Sequence, residues 1–289
     1  VVTPAVLRER PVPMPDNGGG KQQRGTVLVI GGSTMTPGAV ILAGLGALRA
    51  GAGKLQIATT ASTAQAVAVA IPEALVAPLP ETADGAIAPE AAGRVAERAS
   101  AADAVLIGPG MMHADLAGRL TLRLLPLVEG PPVVIDGIAL ICLAEDAGPV
   151  RDHEAPVILT PNGGEAASIL GVDEEKVHAD PAGSVRRLSD DFGATAGVRQ
   201  AETWITEPGG PLFCDQTGNI GLGTSGSGDV LAGVVAGFLA RGADPLVAML
   251  WGVHVHGAAG ERLAARVGRI GFLARELLDE IPDVMTAIG

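Results

Sequence analysis

The chain has 289 residues, a formal net charge of −12, and 47% hydrophobic residues with a mean hydropathy of +0.36. That acidity argues against nucleic acid or an anionic membrane as a partner, so an anionic ligand needs a local site. No apolar run reaches membrane-spanning length. Cys142 and Cys214 give neither a disulfide framework nor metal-ligand spacing, so a reducing cytoplasm is the default.

Residues 1–24 are rich in Pro and Gly and read as an arm, followed by a single domain expected over 25–289. Residues 26–30 (Thr-Val-Leu-Val-Ile) predict a buried strand ended by Gly31-Gly32-Ser33. A helix is expected over 39–50 and a strand over 54–58. This order of strand, glycine loop, helix and strand is a βαβ unit with a parallel pair. The alternation continues with a helix over 91–99, a strand over 104–108 broken at Gly108-Pro109-Gly110, and a helix over 116–128. A strand over 132–136 ends on Asp136, and one over 157–160 stops at Pro161-Asn162-Gly163-Gly164-Glu165. Residues 173–197 are polar, with a helix placed over 181–192. Residues 203–206 and 211–214 pattern as a hairpin around Pro208-Gly209-Gly210, and a long helix follows over 245–265. The fold class is α/β, a doubly wound and mostly parallel sheet with helices on both faces. With 2% aromatics and no Tyr, its core must be built from Ala, Val, Leu and Ile.

The chain is organised around Gly218-Asn-Ile-Gly-Leu-Gly-Thr-Ser-Gly-Ser-Gly-Asp229-Val-Leu-Ala-Gly. Its glycine-rich half runs into an apolar stripe, Val230, Val234 and Phe238 with Leu231, Val235 and Leu239, the pattern of a helix. A loop feeding a helix N-terminus leaves backbone N–H groups unpaired beside the positive end of the helix dipole, which suits a phosphate. Asp229 in that first turn would repel a phosphate. A general base, however, must lie close to the phosphoryl group and a substrate hydroxyl, and that is the preferred reading over a helix cap. Gly221-x-Gly223-x-x-Gly226 also fits the dinucleotide fingerprint, but not at the start of a βαβ unit. No Gly-x-x-x-x-Gly-Lys-[Ser/Thr] is present, which argues against a P-loop NTPase.

Asn162 and Glu165 are equally consistent with oxygen ligands for a Mg²⁺–phosphate group and with a turn followed by a helix-start acid. Asp136 is divided in the same way between ligand contact and loop capping. His254 and His256 project roughly 200° apart on a helix and cannot share an ion, so one packed and one partly exposed histidine is expected. The loops at Gly31-Gly32, Gly108–Gly110, Asp136 and Asn162–Glu165 all leave strand C-termini, the edge where such sheets bind ligands.

Taken together, these segments resemble the ADP/ATP-dependent NAD(P)H-hydrate dehydratases of the ribokinase-like superfamily. The resemblance covers nearly the whole chain from about Gly25. It rests on the 218–233 signature with Val27 to Ser33, Pro37-Gly-Ala39, Leu48-Arg-Ala-Gly-Ala-Gly53, Ile107-Gly-Pro-Gly110, Leu159-Thr-Pro161 with Gly164-Glu165, and His256-Gly-Ala-Ala-Gly260. It implies a hydro-lyase that restores hydrated NADH or NADPH at the expense of ADP or ATP with Mg²⁺, as a homo-oligomer. By the resemblance, Asp229 deprotonates the C6 hydroxyl for phosphoryl transfer, and the amides of Ser225, Gly226, Ser227 and Gly228 form the anion hole. Ala39, Gly110 and Asn162 would contact the substrate, and Arg199, Gln200, Ala201, Glu202 and Thr203 would line the adenine nucleotide. Apart from the resemblance, Glu165 is the candidate metal residue on the ligand reading of the Asn162–Glu165 pair.

The chain departs from the family's usual residues at Asn162-Gly163, where His-Pro is common, and at Arg199-Gln200, where Lys-Gly is common. Ile138 replaces a second acid. Asn162-x-x-Glu165 is similar to a motif of small-molecule kinases in the same superfamily. A kinase acting on a sugar or vitamin-precursor hydroxymethyl group, and a silent nucleotide-binding paralogue, are therefore the alternatives.

Overall fold

In a computed structural model describing residues 1–16 and 20–289, nine strands form one sheet in the order β3-β2-β1-β4-β5-β6-β7-β8-β9. These are β1 (Thr26–Ile30), β2 (Lys54–Thr60), β3 (Ala74–Leu79), β4 (Ala104–Ile107) and β5 (Val133–Ile135). The far half comprises β6 (Val157–Leu159), β7 (Thr195–Arg199), β8 (Thr203–Thr206) and β9 (Phe213–Asp215). From β3 to β7 every pairing is parallel, whereas β8 and β9 turn back antiparallel as the expected hairpin. Along β1, β4, β5 and β6 every residue is buried, as a sheet covered on both faces requires.

The helices are α1 (Pro4–Arg8), α2 (Gly38–Arg49), α3 (Ala61–Ala70), α4 (Ala92–Ser100), α5 (Ala114–Leu124) and α6 (Gly148–Arg151). They continue with α7 (Gly163–Leu170), α8 (Glu174–Ala179), α9 (Pro181–Phe192), α10 (Ser227–Ala240), α11 (Pro245–Arg266) and α12 (Ala274–Ile288). One apolar core lies under α2, α10, α11 and α12, and a second lies on the opposite face under α4, α5, α7 and α9.

Several elements depart from the sequence expectation. The arm carries the short helix α1 and is tied to the body: Val2 N–H donates to Cys214 O (2.8 Å), and Trp251 Nε1 to Arg10 O (2.8 Å). The α3–β3 unit and α12 are absent from the sequence expectation, and α7 realises one of the two readings of Asn162–Glu165. β3 is an edge strand that includes Pro78, and Pro282 lies inside α12. β7 falls at the end of the polar 173–197 stretch and contains Gly197, a weak strand former. A Cβ at Gly197 would lie 1.9 Å from Met249 Cε, so the glycine makes room for α11.

The expected apolar stripe on α10 is too narrow a description. Of its residues only Gly228 and Asp229 escape full burial, because α2, α11, α12 and the sheet enclose it. Glycines make that enclosure possible. A Cβ on Gly233 would sit 2.0 Å from Ala43 O, and one on Gly237 2.6 Å from Ala47 O, so α2 and α10 touch backbone to backbone. Gly233→Val should therefore destabilise the fold by about 3 kcal/mol, the upper end of overpacking costs. The measure is a lower denaturation midpoint with an unchanged denaturant slope; an unshifted midpoint would refute the close contact.

Candidate active site

The strand order reverses between β1 and β4, the crevice where doubly wound sheets take ligands. The loops leaving these two strands interlock there. Gly32 N–H donates to Pro109 O (2.7 Å), and Thr36 Oγ1 donates to Gly110 O (2.7 Å). Gly110 has φ +66°, and a Cβ on it would lie 2.6 Å from the Ala39 methyl. Ala39 and Gly110 are thus brought side by side, although 71 positions separate them in sequence (110 − 39).

The glycine-rich loop enters α10 at Gly226, which adopts φ +89°; a Cβ there would meet Leu42 Cδ1 at 2.4 Å. No side chain caps this helix. Ser227 N–H turns back to Thr224 O and Val230 N–H returns to Gly226 O. The amides of Ser225, Gly226, Gly228 and Asp229 make no hydrogen bond among the described residues. Unpaired donors at a helix N-terminus favour an anion.

Asp229 occupies the third position of α10 and caps nothing. Burial pushes its carboxyl up to about 7. The nearby charges of Asp136 and Glu165 push the same way, and Arg199 opposes them. A carboxylate poised near neutrality is suited to accept a proton from a hydroxyl.

Three other groups complete this corner. Asp136 is 3% exposed, follows β5, and accepts a hydrogen bond from Thr160 Oγ1 (2.7 Å). Burial raises its pKa, against the Arg199 charge and the Thr160 hydrogen bond. Arg199, at the end of β7, donates from Nε to Thr160 O (3.0 Å). Its Nη2 lies 3.4 Å from Asp136 Oδ1 and 3.8 Å from Glu165 Oε2. The same guanidinium flanks the anion loop, since a Cβ on Gly228 would be 2.6 Å from Nη1.

Asn162 and Glu165 form a reciprocal capping box at the start of α7. Glu165 N–H donates to Asn162 Oδ1 (2.9 Å), and Asn162 N–H donates to Glu165 Oε2 (2.8 Å). Of the two readings open for this pair, the helix-start one describes their contacts. Asn162→His replaces the accepting amide oxygen with a bulkier ring that is a poorer cap and should lower stability by about 1 kcal/mol, seen as a reduced melting temperature; an unchanged melting temperature would show the cap oxygen to be dispensable.

A cavity of about 730 Å³ opens beside the anion loop, lined by Arg199, Gln200, Ala201, Thr203, Ser227 and Gly228, among others. Glu202 is absent from its wall: it accepts hydrogen bonds from Gln216 Nε2 (2.8 Å) and Cys214 Sγ (3.4 Å) behind it. Two buried amide nitrogens on the wall, Gln200 Nε2 and Asn219 Nδ2, have no hydrogen-bond partner among the described residues. Such donors cost free energy unless a ligand or water accepts from them, which suits the nitrogens and oxygens of a nucleoside.

Among the described residues no cluster of three or more His, Cys, Asp or Glu is placed to hold an ion. The Arg199 guanidinium pairs with Asp136 and Glu165, and Glu165 also caps α7. Both α11 histidines are buried, which corrects the expectation of one partly exposed ring. His254 Nδ1 lies 2.7 Å from Asp215 Oδ2, and His256 Nε2 lies 2.9 Å from Ser227 Oγ. Sequence reasoning missed the His256–Ser227 contact and the place of Asn219. Asn219 stands inside the signature, but nothing in the sequence pairs residue 227 with 256.

Comparison with known proteins gives the family and the fold. The family model for NAD(P)H-hydrate dehydratase matches residues 27–283. The chain is 46% identical to the ADP-dependent (S)-NAD(P)H-hydrate dehydratase of Xanthomonas campestris pv. campestris, covering 98% of this chain and 95% of that protein. It is 36% identical to the bifunctional NAD(P)H-hydrate repair enzyme of Moorella thermoacetica over 95% of this chain, and spans only 52% of that longer protein. The crystal structure of the Bacillus subtilis ADP/ATP-dependent NAD(P)H-hydrate dehydratase, co-crystallised with ATP and Mg²⁺, superposes with a TM-score of 0.83. That match is at 29% identity and covers 99% of this chain and 98% of the other. The chain has the ribokinase-like fold and belongs to the NAD(P)H-hydrate dehydratase family.

Proposed function

We propose that this protein restores hydrated NADH or NADPH, using ADP or ATP as the phosphoryl donor. The observation that carries the reading is the carboxylate of Asp229, raised to about 7 and set in the same turn as unpaired amide donors. Those amides and the Arg199 guanidinium attract the nucleotide's terminal phosphates. The orphaned amides of Gln200 and Asn219 serve the nucleoside end of the cavity. The hydrated nicotinamide ring enters at the Ala39–Gly110 crevice with its C6 hydroxyl toward Asp229.

Asp229 then accepts the hydroxyl proton while the hydroxyl oxygen takes the terminal phosphoryl group. ADP becomes AMP, or ATP becomes ADP. The C6–O bond breaks with release of inorganic phosphate, and loss of the C5 proton restores the ring double bond. Mg²⁺ would enter with the nucleotide's own phosphate oxygens and neutralise their charge.

The test is recovery of the reduced-nicotinamide absorbance from hydrated NADPH, run with each nucleotide. Recovery with either supports the reading, and Asn162→His should keep it within about tenfold, the order of one hydrogen bond. No recovery with ADP or ATP, in protein that still binds both, would favour a kinase acting on another alcohol.

A further inference from the structure

We propose that His256 is a positioning residue that turns the Ser227 hydroxyl into a hydrogen-bond donor aimed at the nucleotide's terminal phosphate. The inference rests on the nucleotide reading given above. Ser227 opens α10 inside the anion loop and is 4% exposed, and His256 on α11 is 8% exposed. Their Oγ and Nε2 atoms are 2.9 Å apart. Both side chains also border the nucleotide cavity.

A hydroxyl has one proton to give. If Ser227 donates it to a bare Nε2, only oxygen lone pairs face the anion, and the contact is repulsive. If Nε2 carries the ring proton and donates to Oγ, the hydroxyl proton is free to point at a phosphate oxygen. The direction of the chain His256 → Ser227 → phosphate is therefore set by which ring nitrogen is protonated.

Burial, reinforced by the Arg199 charge, lowers the His256 pKa to about 4, so near neutral pH the ring carries a single proton. The Ser227 backbone acts in the opposite sense on that pKa. An anion held by the unpaired amides then selects the Nε2–H form. His254 has a different task, since its partner is Asp215, which in turn accepts hydrogen bonds from the backbone N–H and hydroxyl of Thr217.

The experiment is a double-mutant cycle on binding of ADP with Mg²⁺, measured by calorimetry for His256→Phe, Ser227→Ala and the pair. Each single change should weaken binding about tenfold, the order of one hydrogen bond, and the pair should bind no worse than Ser227→Ala alone. His256→Gln places an amide nitrogen near the Nε2 position and should restore binding to within about threefold of the unmodified protein. Nitrogen-15 spectra of the ADP complex should show Nε2 of His256 protonated and Nδ1 bare.

Multiplying penalties in the pair, native affinity in His256→Phe, or a bare Nε2 in the ADP complex would each overturn the inference while leaving the proposed function in place. Failure of the unmodified protein to bind any adenine nucleotide would overturn both. If His256→Phe does not fold, the spectra of the unmodified protein decide alone.

Discussion

Asp229→Asn should lower turnover by about 10²–10⁴-fold while the protein stays folded. Asn is close to isosteric with Asp, and Asp229 makes no capping hydrogen bond, so its loss removes no structural contact of that kind. The pH dependence sharpens the test. With its carboxyl raised to about 7, Asp229 is an active base only as pH climbs through that value, and unmodified activity should fall on the acid side of it.

The stability effect has the opposite sense. The folded pKa lies above the unfolded one, so the folded state holds this proton more tightly. The stability that proton confers is present below about 4 and is lost as pH rises toward about 7. Above that, the unmodified protein carries a buried, ionised carboxylate beside two other acids, and the Asn variant does not. Thermal melts at pH 8 should find Asp229→Asn at least as stable as the unmodified protein. A variant that melts well below it, yet keeps its specific activity, would make Asp229 a structural residue only.

Arg199→Met should have the next largest effect. The guanidinium is the one cation among the causes that set the pKa values of Asp136, Glu165 and Asp229, and it lowers all three. Removing it leaves these acids without that counter-charge, so each pKa rises further and the acid-side limb of the pH–rate profile moves to more alkaline pH. If the same guanidinium stabilises charge on the transferred phosphoryl group, about 10³-fold in turnover is lost as well. Arg199→Lys keeps the charge but not the fork, and should return the alkaline shift while recovering only part of the rate. Rate profiles across pH 6–9 check both points. An unmoved midpoint in Arg199→Met would place the cation outside the electrostatics of the base.

Local chemistry made much of this protein legible in its sequence. Alternating apolar runs and glycine breaks made β1, β2, β4, β5 and β6 legible as strands of a parallel α/β sheet, because buried parallel strands are rich in continuous apolar residues. The signature around Gly226 and Asp229 announced a loop entering a helix, because only glycine tolerates the backbone at Gly226. Elements whose local signals are weak were not legible: β7 with its Gly197, the edge strand β3, and α12 around Pro282. Packing against neighbours holds these in place, and a single sequence does not show its neighbours.

The chemistry of the site was decided by tertiary structure. Whether Asp229 is a cap or a base depends on burial and on Asp136 and Glu165, which arrive from β5 and α7. Electrostatic coupling falls off with distance in space and ignores distance along the chain. The same holds for Arg199, which the family resemblance assigns to the nucleotide and which in the fold also pairs with Asp136 after β5 and Glu165 in α7. His256 and Ser227, 29 positions apart, meet because α11 packs along α10, a contact set by helix packing and by no local pattern.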